Sequence, residues 1–200
     1  MKILFGMLAL TFLFMSCEDD ENNNPGEEET QESYFKFDST KYELSEAILF
    51  YHGTDKKSST YIFILHLMSD GYTIHESDGL IDSVTGTGNS IAFRFQVSDS
   101  SNLLKTSYYY NDSTTEANSF RGYAAIDGNT FYETGDLIEI DSGDITVKQN
   151  GSPYELDFSG EGYFYYKIPE IHDISAYYNG SVKFYDYSNA YKKSLFKYHD

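Results

Sequence analysis

The chain has 200 residues and a formal net charge of −18 at pH 7, and 18% of its residues are aromatic. The acidic balance excludes nucleic acid as a partner, because a surface of this sign repels the phosphate backbone. With one cysteine in the chain, no internal disulfide can form, and the fold must be held by its hydrophobic core.

The first element in chain order is predicted to be a secretory signal. Lys2 precedes the mostly apolar run Ile3–Met15, and the small residue Ser16 stands directly before Cys17. The run is too short to span a bilayer, which takes roughly 20 apolar residues. We therefore expect a lipoprotein signal peptide at residues 1–16. The alternative is an ordinary signal peptide with a chance cysteine near its end.

Cys17 resembles the lipid-bearing cysteine of a bacterial lipobox, with Phe14 where such motifs usually have Leu. The resemblance implies that Cys17 becomes the mature N-terminus, carries the lipid and attaches the protein to a membrane. Residues 18–32 follow with eight acids and no base, a composition that cannot bury enough surface to order itself. We therefore expect residues 17–33 to form a lipidated cysteine and a disordered acidic tether.

The acids Glu18–Glu21, directly after the cysteine, also resemble the surface-export signal of Bacteroidetes lipoproteins. This resemblance implies an outer-membrane lipoprotein that is exposed at the cell surface. A lipoprotein on the periplasmic face, with a plain acidic spacer, is the alternative.

Residues 34–200 are predicted to form one all-β domain. Aromatic and β-branched residues favour strands, and several runs alternate apolar and polar residues with period two. The expected architecture is a single antiparallel β-sandwich or flattened β-barrel of about ten strands. The candidate strands are 34–37, 41–52, 60–68, 72–76, 90–98, 105–110, 120–126, 136–148 with a break near Ser142-Gly143, 153–158, 162–168 and 180–187.

Three of these runs allow sharper predictions. In residues 60–68, the side chains expected on each of the two faces of a strand are mostly apolar, which is typical of a central strand covered on both faces. Asn150-Gly151 lies between two alternating runs and predicts a hairpin. In the last run, Val182 and Phe184 are predicted to face the core, opposite Lys183. The tail after residue 188 fits a helix or a last strand equally well.

Three segments resemble the small all-β lipoprotein domains of Bacteroidetes: MSCEDDE, TGTGNSIAF and SGDITVKQNGSPYELDF. The resemblance implies a fold and a cellular location, and it implies no activity.

The chain offers few signs of catalytic chemistry. It has no G-x-S-x-G segment, and its five histidines are scattered without an H-x-x-x-H pair. A calcium loop would need oxygen ligands at regular positions, but aromatic residues interrupt the best candidate segment, which we interpret as a polar hairpin loop. We therefore predict no catalytic residue, no metal and no cofactor. That loop contains Asp127, Asn129, Glu133 and Asp136.

Clusters of tyrosine carry the functional hypothesis. Adjacent tyrosines point to both faces of a strand, so that some rings are exposed or line a cavity, and an exposed tyrosine can stack on a sugar or anchor a protein. We predict a non-enzymatic surface domain that binds a glycan or a protein through these rings. The alternative is a lipocalin-like carrier of a small apolar ligand, and a carboxylate-based hydrolase is the third hypothesis. The candidate ligand-binding residues are Tyr108, Tyr110, Tyr163, Tyr165, Tyr166, Tyr177 and Tyr178.

Overall fold

The computed structural model describes residues 32–100, 103, 106–112, 116–149 and 153–189. These residues form strands and turns, and none of them belongs to a helix of the length and apolar character needed to cross a membrane. The predicted signal peptide, Cys17 and the acidic tether up to residue 31 lie outside the described residues. The Asn150-Gly151 turn and residues 190–200 lie outside them as well.

The described residues form thirteen strands in two sheets. Eleven strands make one large curled sheet in the order β13-β3-β4-β7-β9-β8-β10-β11-β12-β1-β2, and β5 and β6 pair with each other. The strands are β1 (Tyr34–Phe37), β2 (Thr40–Glu43), β3 (Glu46–Thr54), β4 (Tyr61–Met68), β5 (Tyr72–Ser77), β6 (Leu80–Gly86), β7 (Gly88–Val97), β8 (Thr106–Tyr110), β9 (Ser119–Asn129), β10 (Thr134–Gln149), β11 (Tyr154–Phe164), β12 (His172–Gly180) and β13 (Lys183–Asp186).

The large sheet is antiparallel apart from two pairings, β13 with β3 and β8 with β9. Its curl is visible in the contact between Phe93 on β7 and Phe158 on β11, whose ring centroids lie 5.1 Å apart. Three strands separate β7 from β11 within the sheet, so these rings meet across its concave side. The prediction of an all-β domain with sandwich or barrel character is confirmed.

The inner core fills the concave side of the sheet. Ile91, Phe93, Phe95 and Val97 alternate along β7, and all four are buried there, as the period of two predicts. Strands β10 and β11 contribute their alternating apolar residues to the same core. They pair from Gln149 opposite Tyr154 onward, which confirms the predicted hairpin partners, and the register shifts after Ile140, near the predicted break.

An outer core lies on the opposite face of β3 and β4. The β5–β6 hairpin covers this face with Ile81 and Val84, which pack with Ile64, Met68 and Phe131. Strand β4 therefore has buried side chains on both faces and a hydrogen-bonded neighbour on each edge. The prediction of a doubly covered central strand is confirmed.

The segment predicted as one strand over 41–52 is two strands, β2 and β3. The amide of Leu44 donates to Ser33 O (3.0 Å) beside β1, and the amide of Ser45 donates to Met68 O (2.8 Å) at the end of β4. The chain thus passes from one margin of the curled sheet to the other at this point. A long-range crossing of this kind leaves no signal in the local residue pattern.

Three further expectations differ from the structure. The predicted strands 153–158 and 162–168 form the single strand β11, which ends at Phe164. Strands β6 and β12 were not predicted; in β6 a register shift places Ile81 and Val84 on one face despite a spacing of three. On β13 the predicted orientation is wrong, because Phe184 is 56% exposed and Tyr185 is buried. The ring of Tyr185 stacks on the ring of Phe50 on β3, and both lie in the outer core.

Candidate functional site

The outer face of strands β4, β7, β9 and β10 carries the candidate site. On β7, Ala92 and Arg94 lie on this face, because Phe93 between them points into the inner core. On β9, Tyr123 and Arg121 lie directly opposite Ala92 and Arg94. The pairing of β7 with β9 therefore places two arginines side by side, next to an alanine and a tyrosine.

A groove of about 90 Å³ opens beside three of these residues, Ala92, Arg121 and Tyr123. It adjoins a depression of about 10 Å³ that is lined in part by Ile64, Arg94 and Gly122, and the two share three lining residues. We call the two together the outer groove. The larger part combines cationic, acidic, hydroxyl, aromatic and aliphatic side chains, which are Ala92, Arg121, Tyr123, Thr130, Glu133, Leu137 and Tyr165.

One wall of the outer groove is the loop between β9 and β10. Phe131 anchors this loop: it is buried in the outer core and stacks on His66 with 3.8 Å between the ring centroids. The hydroxyl of Thr130 lies 3.1 Å from Nδ1 of His66, and Asn129 Oδ1 accepts a hydrogen bond from the Phe131 amide (2.9 Å). These contacts hold Thr130 and Glu133 at the edge of the groove.

Tyr165 also lines the groove, and it begins a loop over residues 165–171, which we call the aromatic loop. Strand β11 ends at Phe164, and Pro169 prevents the strand from continuing through the loop because it lacks an amide hydrogen. The Tyr165 amide donates to Leu137 O (2.9 Å) and fixes the start of the loop against β10. The rings of Tyr165 and Tyr166 meet edge to face at 4.8 Å. The exposed apolar side chains of the loop are Tyr165, Tyr166, Ile168 and Ile171.

Two tyrosines near the groove, Tyr123 and Tyr163, have a raised pKa, so their hydroxyls stay protonated at neutral pH and can donate hydrogen bonds. Burial, and then the nearby Glu139 carboxylate, raise the pKa of Tyr123. Tyr163 lies opposite Glu139 on the neighbouring strand and donates to its Oε2 (2.7 Å), and this hydrogen bond is the main cause of the raised pKa of Tyr163. Glu139 is therefore engaged within the protein.

The seven predicted tyrosines occupy different environments. Tyr108 and Tyr178 are buried in the inner core, and Tyr110 packs partly buried against it, so these three belong to the protein interior. Tyr177 lies near Tyr34 on the neighbouring strand, with ring centroids 6.4 Å apart. The structure brings together the remaining three, which are Tyr163, Tyr165 and Tyr166, at the end of β11.

Sequence reasoning did not single out the residues that line most of the groove. Arg121 and Tyr123 stand at alternate positions of β9, where each resembles an ordinary solvent-facing residue, and Leu137 on β10 resembles an ordinary core residue. One signal was available: Arg94 and Arg121 are the two arginines of the chain. Their pairing depends on the β7–β9 register, which the local pattern does not contain.

The loop considered as a calcium site forms the turn between β9 and β10. Asn129 uses its side chain within the turn, where Nδ2 donates to Gly86 O (3.4 Å) as well. Asp136 is paired with Lys167 at 3.7 Å. His66 is fully buried, and burial lowers its pKa to about 3. In the part of the chain that the structure describes, no cluster of three or more His, Cys, Asp or Glu side chains is arranged to hold a metal ion.

Fold and site together define an all-β domain with a shallow, aromatic-walled groove that contains arginine on the outer face of its sheet. Comparison with protein families, with characterised proteins and with solved structures returned no match to this chain.

Proposed function

We propose that the protein is a lipid-anchored surface protein that binds a glycan in the outer groove without catalysing a reaction. The observation that carries the proposal is the position of Tyr165. Its half-exposed ring forms a wall of the groove that also contains Arg121 and Glu133. A tyrosine ring offers a rigid apolar face to the C–H face of a sugar, while guanidinium donors and a carboxylate acceptor suit the sugar hydroxyls.

The size of the groove supports a segment of a chain as the ligand. Its main part measures about 90 Å³, whereas pockets that enclose drug-sized molecules measure roughly 300–1,000 Å³. A groove this shallow is suited to gripping one unit of an extended glycan, whose remaining units stay in solvent. A protein partner would instead be expected to cover the aromatic loop. A measurement of glycan binding therefore distinguishes a glycan ligand from a protein ligand.

The lining of the groove supports binding over hydrolysis. Glycoside hydrolysis usually uses two carboxyl groups, one on each side of the scissile bond. Among the described residues that line the groove, Glu133 is the one carboxylate. The nearby Glu139 accepts the hydrogen bond from Tyr163 and is held away from such a role.

The anchor part of the proposal rests on Cys17 and the acidic segment that follows it. An acyl chain on Cys17 would attach the domain to the outer membrane, and the tether would separate the groove from the lipid surface. Labelled palmitate should be incorporated into the wild-type protein in cells and should be lost in Cys17→Ala. Equal labelling of both proteins would contradict the anchor.

A glycan array with the purified full chain tests the binding proposal. We expect Tyr165→Ala to weaken binding to the best glycan at least tenfold, which corresponds to about 1.4 kcal/mol, and Tyr165→Phe to retain most of the affinity. The matched control is Tyr109→Ala, because Tyr109 is 42% exposed and lies outside the groove lining. Absence of binding to any glycan, or equal binding by Tyr165→Ala, would refute the proposal.

One observation favours the lipocalin-like carrier as a second candidate. The Tyr108 hydroxyl is buried in the inner core without a hydrogen-bond partner among the described residues, a position where the polar end of an apolar ligand could be accepted. The ring of Tyr108 packs against Phe95 at 4.7 Å between centroids. Binding of a fluorescent fatty acid that Tyr108→Phe weakens would support the carrier, and absence of uptake would remove it.

A further inference from the structure

The two arginines of the chain are concentrated in one place. Of the 14 lysines and arginines in the chain, two are arginines and the rest are lysines. Arg94 and Arg121 lie directly opposite each other on the neighbouring strands β7 and β9, and both line the outer groove. In a chain with a net charge of −18, this groove is the place where two arginines lie on facing positions.

Two positively charged residues on facing positions repel each other. Like charges that face each other across two strands destabilise the pair, and a guanidinium cannot lose its charge at any physiological pH. The packing of the sheet does not require arginine here, because the inner core is made by the residues that alternate with Arg94 and Arg121. In the described part of the chain, no carboxylate lies within ion-pair distance of Arg121.

The positive potential of the pair reaches its surroundings. The Arg94 charge contributes to the lowered pKa values of His52 and Asp55, after burial for His52 and after hydrogen bonds for Asp55. The Arg121 charge acts against the raised pKa of Tyr123. A bound anion would offset the repulsion between the two guanidinium groups and would gain from both.

We propose that the glycan bound in the outer groove is acidic and that its carboxylate or sulfate group lies on Arg121 and Arg94. This inference rests on the proposed function and specifies the ligand class. A guanidinium presents parallel N–H donors that match two oxygens of a carboxylate or sulfate. With the acid group on Arg121, the sugar ring lies in the groove that Tyr165 and Glu133 also line.

Matched pairs of glycans that differ only in charge test the inference. Calorimetric titration of the full chain would compare an oligogalacturonate with its methyl ester, and a sulfated galactan oligosaccharide with its desulfated form. The two pairs separate a carboxylate from a sulfate as the acid group. We expect at least one acidic form to bind tenfold or more tightly than its neutral partner, and added salt to reduce that preference.

Variants of Arg121 locate the effect. Arg121→Gln should abolish the preference for the acidic form, and Arg121→Lys should retain part of it, because lysine keeps the charge and loses the two-pronged geometry. The matched control is Lys148→Gln, which removes one exposed charge that is paired with Glu155 outside the groove. A Tm of Arg121→Gln close to that of the wild type shows that the variant is folded.

The outcomes separate the inference from the proposed function. Equal affinity for acidic and neutral forms, with binding still dependent on Tyr165, would overturn the acidic ligand and leave glycan binding intact. A preference for the acidic form that survives Arg121→Gln, or that Lys148→Gln removes equally, would overturn the assigned position. Absence of binding to all four glycans would overturn both.

Discussion

Acidification should destabilise the domain because two histidines are buried in neutral form beside the outer core. His66 is 1% exposed, and burial lowers its pKa to about 3. His52 is partly buried, and burial lowers its pKa to about 4. Their rings lie among aromatic neighbours, with His66 stacked on Phe131 and perpendicular to Phe50. An imidazolium in this place would lose its hydration, which is why burial lowers both pKa values.

The sign and size of the effect follow from the difference between folded and unfolded pKa values. A folded pKa below the unfolded value of 6.5 means that the unfolded chain binds the proton first, so stability is present above pH 6.5 and is lost as the pH falls. For a histidine that stays neutral when folded, the free energy of unfolding drops by about 2 kcal/mol between pH 7 and pH 5. His66 contributes this amount, and His52 contributes less because solvent screens it.

Urea unfolding at pH 7 and pH 5, followed by far-ultraviolet circular dichroism, measures the loss. His66→Gln should lose about 2 kcal/mol less than the wild type between the two pH values, whatever its stability at pH 7. Thr130→Val is the matched control, because it removes the hydroxyl beside His66 Nδ1 and keeps the titrating ring, so its pH loss should equal that of the wild type. If His66→Gln and the wild type lose the same stability, the buried neutral histidine is not the cause.

Two further predictions concern the hairpin between β9 and β10. Phe131→Ala should lower the free energy of unfolding by roughly 3–5 kcal/mol, because it leaves a cavity in the outer core. The neighbouring residue Tyr132 is half-exposed, so Tyr132→Ala should lower it by under about 1 kcal/mol. Equal losses of the two variants in urea unfolding would contradict the role of Phe131. Gly128→Ala should prevent stable folding, since a Cβ there would overlap the backbone oxygen of Thr134 across the hairpin. The control is Gly79→Ala, where a Cβ would meet nothing within 4 Å and the backbone φ is +76°. This change should lower the free energy of unfolding by only about 1–3 kcal/mol. Thermal unfolding of both variants tests the comparison, and a milder effect of Gly128→Ala would contradict it.

Much of the fold could be predicted because strand formation depends on neighbouring residues. The alternation along β7 and the apolar run of β4 each specify which faces are buried, and both predictions are confirmed. Failures occurred where a distant segment changed the local pattern. In β6 a register shift broke the period of two, and on β13 Tyr185 pairs opposite Phe50 and replaces Phe184 in the core.

The candidate site could be predicted only in part for the same reason. Tyr163, Tyr165 and Tyr166 lie within four consecutive residues, so their cluster was visible in the sequence. The sequence could not tell that Tyr108 and Tyr178 fill the inner core, because a tyrosine has the same period-two pattern whether its face is covered or exposed.

The amino-acid sequence alone determined that the domain is all-β, which alternate residues of its regular strands are buried, and that β4 is covered on both faces. These properties depend on side chains two positions apart. Only the tertiary structure decided that Arg94 lies opposite Arg121 and that Tyr165 lines the same groove as Arg121. These residues are distant in the chain, and they come together through strand order and register, which arise from the packing of the whole sheet.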